Sequence, residues 1–174
     1  MNRKILKKIK LINWHYFENE EIEVQDSALF FGDNGSGKST VLDALQYVLT
    51  AGGKSFNKAA NENSRRDLKG YVRCKTGGEG KTYKRNGKVT SFVALEFYEE
   101  SKHQSFVVGV KLDSASEEGQ IRRGWFIENC RFEDIAFIKD NKPVSDSADF
   151  TARGKKITCI KTDEEAKARI LQRL

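Results

Sequence analysis

The sequence predicts an α/β domain, and three observations predict it. A short apolar run at residues 27–31 leads into the glycine-rich stretch FFGDNGSGKST at residues 30–40. Val41, Leu42, Leu45, Val48 and Leu49 then recur at helical spacing. Downstream, residues 88–98, 105–112 and 121–128 read as strands of an antiparallel meander rather than as βαβ units.

The glycine-rich stretch has the spacing G-x-x-x-x-G-K-[ST]: Gly32, four residues, then Gly37-Lys38-Ser39. Glycines let the backbone curl so that several N–H groups face one phosphate chain. The spacing therefore nominates Gly32, Asn34, Gly35, Ser36, Gly37, Lys38, Ser39 and Thr40 as a phosphate cradle for ATP. Lys38 supplies a positive charge to the outer phosphates and is the catalytic candidate, and Ser39 supplies a hydroxyl to Mg²⁺. A helix starting here adds its positive dipole end. Gly52-Gly53 stops that helix.

Before the loop, residues 3–13 read as a first strand and residues 20–24 (EEIEV) as a second, joined by the polar-aromatic turn Asn13-Trp14-His15-Tyr16-Phe17. Two strands ahead of the phosphate loop disfavour the nucleotide-kinase and G-protein layout. His15 reads as a turn residue, and Trp14 or His15 could lie against a nucleotide base. After the loop, residues 51–82 form a polar, glycine-containing excursion, with Ser64-x-x-Asp67 as a start for a short helix through Tyr71-Val72. Residues 82–85 and 88–98 flank Asn86-Gly87, a hairpin signal. In 92–98, Phe92, Ala94, Glu96 and Tyr98 alternate with Val93, Leu95 and Phe97. Residues 135–138 and 156–160 suggest short strands, with Pro143 in the loop between them. Thr162-x-x-Glu165 is a capping box, and Ala166, Ile170, Leu171 and Leu174 form a helical stripe that runs to the last residue, as if the polypeptide continued.

The chain has 174 residues, enough for one domain with a core. No apolar run approaches the ~20 residues that span a membrane, and residues 1–14 alternate apolar and basic groups without the continuous apolar core of a signal peptide. Cys74, Cys130 and Cys159 are scattered without a C-x-x-C pair, which argues against a disulfide framework or zinc site and fits reduced thiols in a cytoplasm. The net charge of +6 is uneven. Residues 51–90 hold eleven basic and three acidic residues, so that segment is +8 and the remainder −2. A basic segment beside a phosphate site suggests a polyanion partner such as a nucleic acid.

One component is missing from the pattern. ATP hydrolysis usually needs an acidic residue ending a second apolar strand. The nearest match, residues 92–96 (FVALE), belongs to the meander, and no LSGGQ-like signature is present.

An N-terminal phosphate loop, a meander, a capped helix and no second motif resemble the N-terminal half of an SMC-type ATPase head. The residues that carry this are Leu11-Ile12-Asn13-Trp14 with Phe17, then G-x-N-G-S-G-K-S-T at residues 32–40 followed by Leu42-Asp43-Ala44-Leu45. The form is shared with the SMC, SbcC and RecF-type ATPases. Gly70-Tyr71-Val72-Arg73 and residues 89–98 look most like the MukB-like branch, which includes the JetC subunit of Wadjet anti-plasmid systems. The resemblance implies a partial ABC-type ATPase head lobe of the P-loop NTPase class. Residues 1–160 would be the half-head, and residues 161–174 would start a helix toward a coiled coil. It further implies a composite site completed by the C-terminal half of the same head, a second head as homodimer partner, DNA as substrate and kleisin-like accessory subunits, with DNA over the basic segment 51–90 and Arg65, Arg66, Lys69 and Arg73 as its contact candidates. The glutamine that contacts Mg²⁺ in such heads has only Gln104 and Gln120 as candidates. Alternatives are an SbcC-like repair ATPase, an ABC transporter ATPase subunit, and a nucleotide-binding module that does not hydrolyse.

Overall fold

The computed structural model describes residues 2–25, 27–33, 35–53, 56, 67–77 and 82–174. Strands β1 (Lys4–Trp14) and β2 (Phe17–Glu23) form a hairpin closed by His15 and Tyr16. Helices α1 (Lys38–Leu49) and α2 (Leu68–Arg73) follow, then β3 (Val89–Glu99), β4 (Gln104–Ser114) and β5 (Ile121–Glu128). Two short hairpins come next, β6 (Ile138–Lys139) with β7 (Lys142–Pro143) and β8 (Thr151–Ala152) with β9 (Lys155–Lys156). Helix α3 spans Asp163–Arg173. The main sheet is antiparallel with order β2-β1-β3-β4-β5.

Both faces of this sheet are covered, and the alternation in the strands assigns residues to faces. On one face Ile9, Leu11, Val93, Leu95, Val108 and Val110 pack against α1, α2 and α3 through Val41, Ala44, Val48, Val72, Ala166 and Ile170. On the other, Ile12, Phe92, Ala94, Val107 and Phe126 pack against Phe132, Phe137 and Phe150 from the short-hairpin region. Asn13 sits at φ 48 and breaks the alternation, so Trp14 returns to the helical face. Full burial of each large apolar side chain contributes about 1.5–3 kcal/mol. Gly109 sits where β3 and β5 close in: a Cβ there would stand 2.9 Å from Ala94 Cβ.

Helix α3 obeys local rules. Thr162 caps it by accepting from Glu165 N, Asp163, Glu164 and Glu165 occupy the first turn, and Arg173 lies in the last. Ala166 and Ile170 are buried, whereas Leu171 is 63% exposed. No described helix is long and apolar enough to cross a membrane.

Four sequence expectations need correction. Residues 27–31 form no strand, and Leu29 and Phe31 are 75% and 82% exposed, because no described segment pairs with them. The buried stripe of α1 is Thr40, Val41, Asp43, Ala44, Tyr47 and Val48, which leaves Leu42 and Leu49 exposed and Leu45 only partly buried. Residues 82–85 do not pair with 88–98. Tyr83 bridges Lys75, and the Lys84 and Arg85 amides donate to the carbonyls of Cys74 and Arg73 at 2.9 Å each. Pro143 belongs to β7, paired with Ile138, rather than to a loop.

Candidate phosphate-binding site

Helix α1 begins with an unusual N-terminus. Its cap, Gly37, is left-handed at φ 95 and has no side chain to offer the first turn. The first turn carries no acidic residue. The Val41 amide donates to Gly37 O at 3.0 Å, so the amides of Lys38, Ser39 and Thr40 precede the first intrahelical bond and open toward the loop. Gly35 is also left-handed, at φ 89. A Cβ on Gly32 would stand 2.8 Å from Ser36 Cβ, and one on Gly37 would stand 3.0 Å from Phe17 Cζ. The loop is held across its mouth: Ser36 N donates to Asp33 O at 3.1 Å, and the Lys38 ammonium donates to Gly32 O and, at 3.2 Å, to Asp33 O. This donor set, with glycine where a Cβ would intrude, fits a polyphosphate. Asn34 lies outside the described residues.

The loop rests on an aromatic platform. Trp14 is fully buried, donates its indole N–H to Thr40 O at 3.0 Å and stacks on Tyr71 with centroids 4.5 Å apart and planes at 2°. Tyr71 donates its hydroxyl to Asp43 Oδ2, and its carbonyl accepts from His15 N at 2.7 Å. Helix α2 brings Tyr71 here because Asp67 caps it, accepting from Gly70 N at 2.7 Å. Trp14 is therefore unable to lie against a base. His15 is the turn residue expected, at φ 51, edge-on to Tyr71. The exposed ring at this hairpin tip is Tyr16, 62% exposed. Asp43 and Tyr71 were visible only as parts of the D-A-L and G-Y-V-R motifs, with no signal that they pair.

Of the basic candidates, Arg73 is a correction. It is fully buried and donates to Ser114 Oγ at 3.0 Å, Arg85 O at 3.2 Å, and Gly87 O at 2.6 Å and Ser114 O at 3.3 Å. It binds its own chain and has no surface for DNA. Lys69 is half-buried on α2, and Arg65 and Arg66 lie outside the described residues. Lys75, Lys84 and Lys88 are exposed on the same strip, with Lys84 3.3 Å from Glu18.

Glu96, the carboxylate nearest in sequence to a catalytic acid, is 4% exposed on the face away from α1 and accepts from Phe132 N at 2.7 Å. Gln104 opens β4 opposite Glu99, at the end of the sheet away from Trp14. Gln120 directly precedes β5, three positions across the sheet from β1. No cluster of metal-ligating side chains occurs among the described residues. Burial raises the thiols of Cys74 and Cys159 and pushes Cys130 up to about 12, so all three are weak nucleophiles.

Residues 6–63 match the family model described as the P-loop containing region of AAA domain. The chain is 29% identical over 150 residues to the "DNA replication and repair protein RecF" of Bacteroides thetaiotaomicron, an alignment covering 79% of this chain and 39% of that protein. It is 28% identical over 155 residues to the protein of the same name from Bacteroides fragilis, covering 82% and 40%. The chain thus spans about 40% of the length of the curated relatives it matches. The domain is a P-loop NTPase fold of mixed α/β content with an antiparallel sheet, a partial head lobe. The matches support a relationship with ABC-type ATPases of the SMC and RecF group, without singling out a MukB-like branch.

Proposed function

We propose that this chain is the ATP-binding N-terminal part of an SMC-type head that acts on DNA. The observation that carries this is the N-terminus of α1: a left-handed glycine cap, three amides opening toward the loop, no acid in the first turn, and Lys38 lying across the mouth. Backbone amides of residues 32–40 would hold the phosphates, with Gly32, Gly35 and Gly37 giving the close approach and Asn34, Ser36 and Thr40 completing the cradle. Lys38 would leave the carbonyls of Gly32 and Asp33 for the β- and γ-phosphates. Ser39 would ligate Mg²⁺, which supplies charge neutralisation on the phosphates when bound.

Glu96 accepts from Phe132 N on the sheet face away from α1, which takes it out of the role of general base at this loop. Hydrolysis in this reading therefore waits on a second segment, from the C-terminal half of the head and from a second head. That segment would also cover Leu29 and Phe31. DNA would lie on the basic strip of residues 51–90, over Lys69, Lys75, Lys84 and Lys88, with Arg65 and Arg66 beside them. The protein would work in the cytoplasm with kleisin-like subunits, in loop extrusion or plasmid defence.

A second reading is a repair ATPase of the SbcC type. The likeness to proteins named for DNA replication and repair favours it.

The test is ATP turnover with and without the C-terminal head fragment and plasmid DNA, with Lys38→Ala as control. Turnover that needs the second fragment, rises with DNA and disappears in Lys38→Ala supports the composite head. Turnover by this chain alone would sink it. An associated nuclease whose cutting follows the nucleotide state would select the repair reading.

A further inference from the structure

The bond between Tyr71 and Asp43 lies outside the phosphate loop yet bears on its geometry. Asp43 is four residues beyond Ser39, one turn further along the same face of α1, and 1% exposed. Its Oδ2 accepts the Tyr71 hydroxyl from α2. One turn nearer the loop, Thr40 O accepts the Trp14 indole N–H at 3.0 Å. The two gripping side chains are themselves face to face, 4.5 Å apart, and Tyr71 O is tied to His15 N at 2.7 Å. Helix α1 is therefore held at two points, Thr40 and Asp43, by two rings that form one stacked unit. One grip leaves a helix free to rotate about it, whereas two fix its rotation and tilt. The amides of residues 38–40 and Lys38 turn with the helix, and a phosphate site loses binding when its donors drift by about 0.5 Å.

We propose that Tyr71 is a positioning residue of the phosphate site: through Asp43 and Trp14 it sets the rotation of α1 on which nucleotide affinity depends. This rests on reading residues 32–40 as a nucleotide site. A packing role alone would leave affinity untouched once the chain is folded.

The experiment is a double-mutant cycle in Mg–ATP affinity, measured by calorimetry on the full chain at low temperature, with circular dichroism and thermal melts alongside. Tyr71→Phe keeps the ring and its stack and removes only the hydroxyl. It is expected to weaken Mg–ATP about tenfold with an unchanged spectrum, the scale of one hydrogen bond to a charged acceptor. Asp43→Ala is expected to do the same, and Asp43→Asn, which keeps an acceptor, to recover most of the loss. The double variant Tyr71→Phe/Asp43→Ala is expected to be no weaker than either single one. Wild-type affinity in Tyr71→Phe, or additive losses, would overturn the proposal even if Asp43→Ala fails to fold. A wild-type chain that binds no Mg–ATP, or binds it as well with Lys38→Ala, would overturn the nucleotide site itself and this inference with it.

Discussion

Arg173, in the last turn of α3, closes on Glu99 at the end of β3, with Nη1 2.8 Å from Oε2. The guanidinium also lies 3.6 Å above the Phe106 ring. Glu99 is 1% exposed and receives the Asn2 amide at 2.9 Å, with Lys102 at 3.3 Å. This one carboxylate joins the start of the chain, the middle of the sheet and the final helix. Asn2 first, then Arg173 and Lys102, hold its pKa down at about 2.

That depression fixes an acid dependence. The unfolded chain takes up the proton near 4.5 and the folded chain only near about 2. Glu99 therefore contributes its full stability above pH 4.5, and the contribution is lost as pH falls toward 2. Denaturant unfolding measured across this window should show stability falling with acid. Glu99→Gln should flatten that limb and lower stability at neutral pH. An acid limb of the same slope in Glu99→Gln would show that other carboxylates govern it.

Arg73→Lys should be costly although it keeps the charge. The guanidinium serves three carbonyls and one hydroxyl from a fixed fork, and an ammonium on a shorter reach cannot. Leaving one or more of these acceptors unpaired should cost about 1–3 kcal/mol in chemical denaturation. Affinity for duplex DNA, measured well below the melting temperature, should stay at the wild-type value. A large DNA-binding loss in a folded Arg73→Lys protein would restore it as a contact residue.

Arg73 also shows what the sequence withheld. Nothing local distinguishes a buried arginine from a solvated one, because its acceptors come from residues 85, 87 and 114. The same arginine explains the failed hairpin. Asn86-Gly87 signals a turn, but Arg73 takes the carbonyls of Arg85 and Gly87, and residues 84 and 85 pair with the end of α2 instead. Where the physics is local, sequence and structure agree: the alternation of residues 92–97 divides between the two faces and Thr162 caps α3, whereas α2 is capped by Asp67, three residues beyond the Ser64 that the sequence nominates. Residues 27–31 are the intermediate case. Their composition suits a strand, but a strand also needs a neighbour, and composition does not supply one.

Leu29 and Phe31 are the most exposed of the large apolar side chains described, beside a loop otherwise built of small polar groups. Exposed apolar surface of this kind binds hydrophobic dyes and promotes self-association. Leu29→Ser/Phe31→Ser should reduce both, with the melting curve nearly unchanged, because neither side chain is packed. Light scattering and dye fluorescence would check it. A large drop in melting temperature would mean the pair is buried in solution.

Tyr47, on the buried face of α1, is 4% exposed among Trp14, Phe56 and Trp125, and its hydroxyl makes no well-formed hydrogen bond among the described residues, the Arg123 guanidinium beside it being at most a weak partner. Burial pushes the phenol up from 10 to about 12, with Arg123 nearby opposing part of the rise. The sign runs opposite to that of Glu99. The raised group contributes its full stability below pH 10, and that contribution is lost as pH rises toward 12, by up to about 3 kcal/mol. Tyr47→Phe removes both the titration and the poorly satisfied hydroxyl while keeping the ring. It should match or exceed wild-type stability at neutral pH, by up to about 1 kcal/mol, and should unfold less readily in alkali. Chemical denaturation at pH 7 and at pH 11 would decide. A clear loss at neutral pH would show that the hydroxyl has a bonding partner in the folded chain.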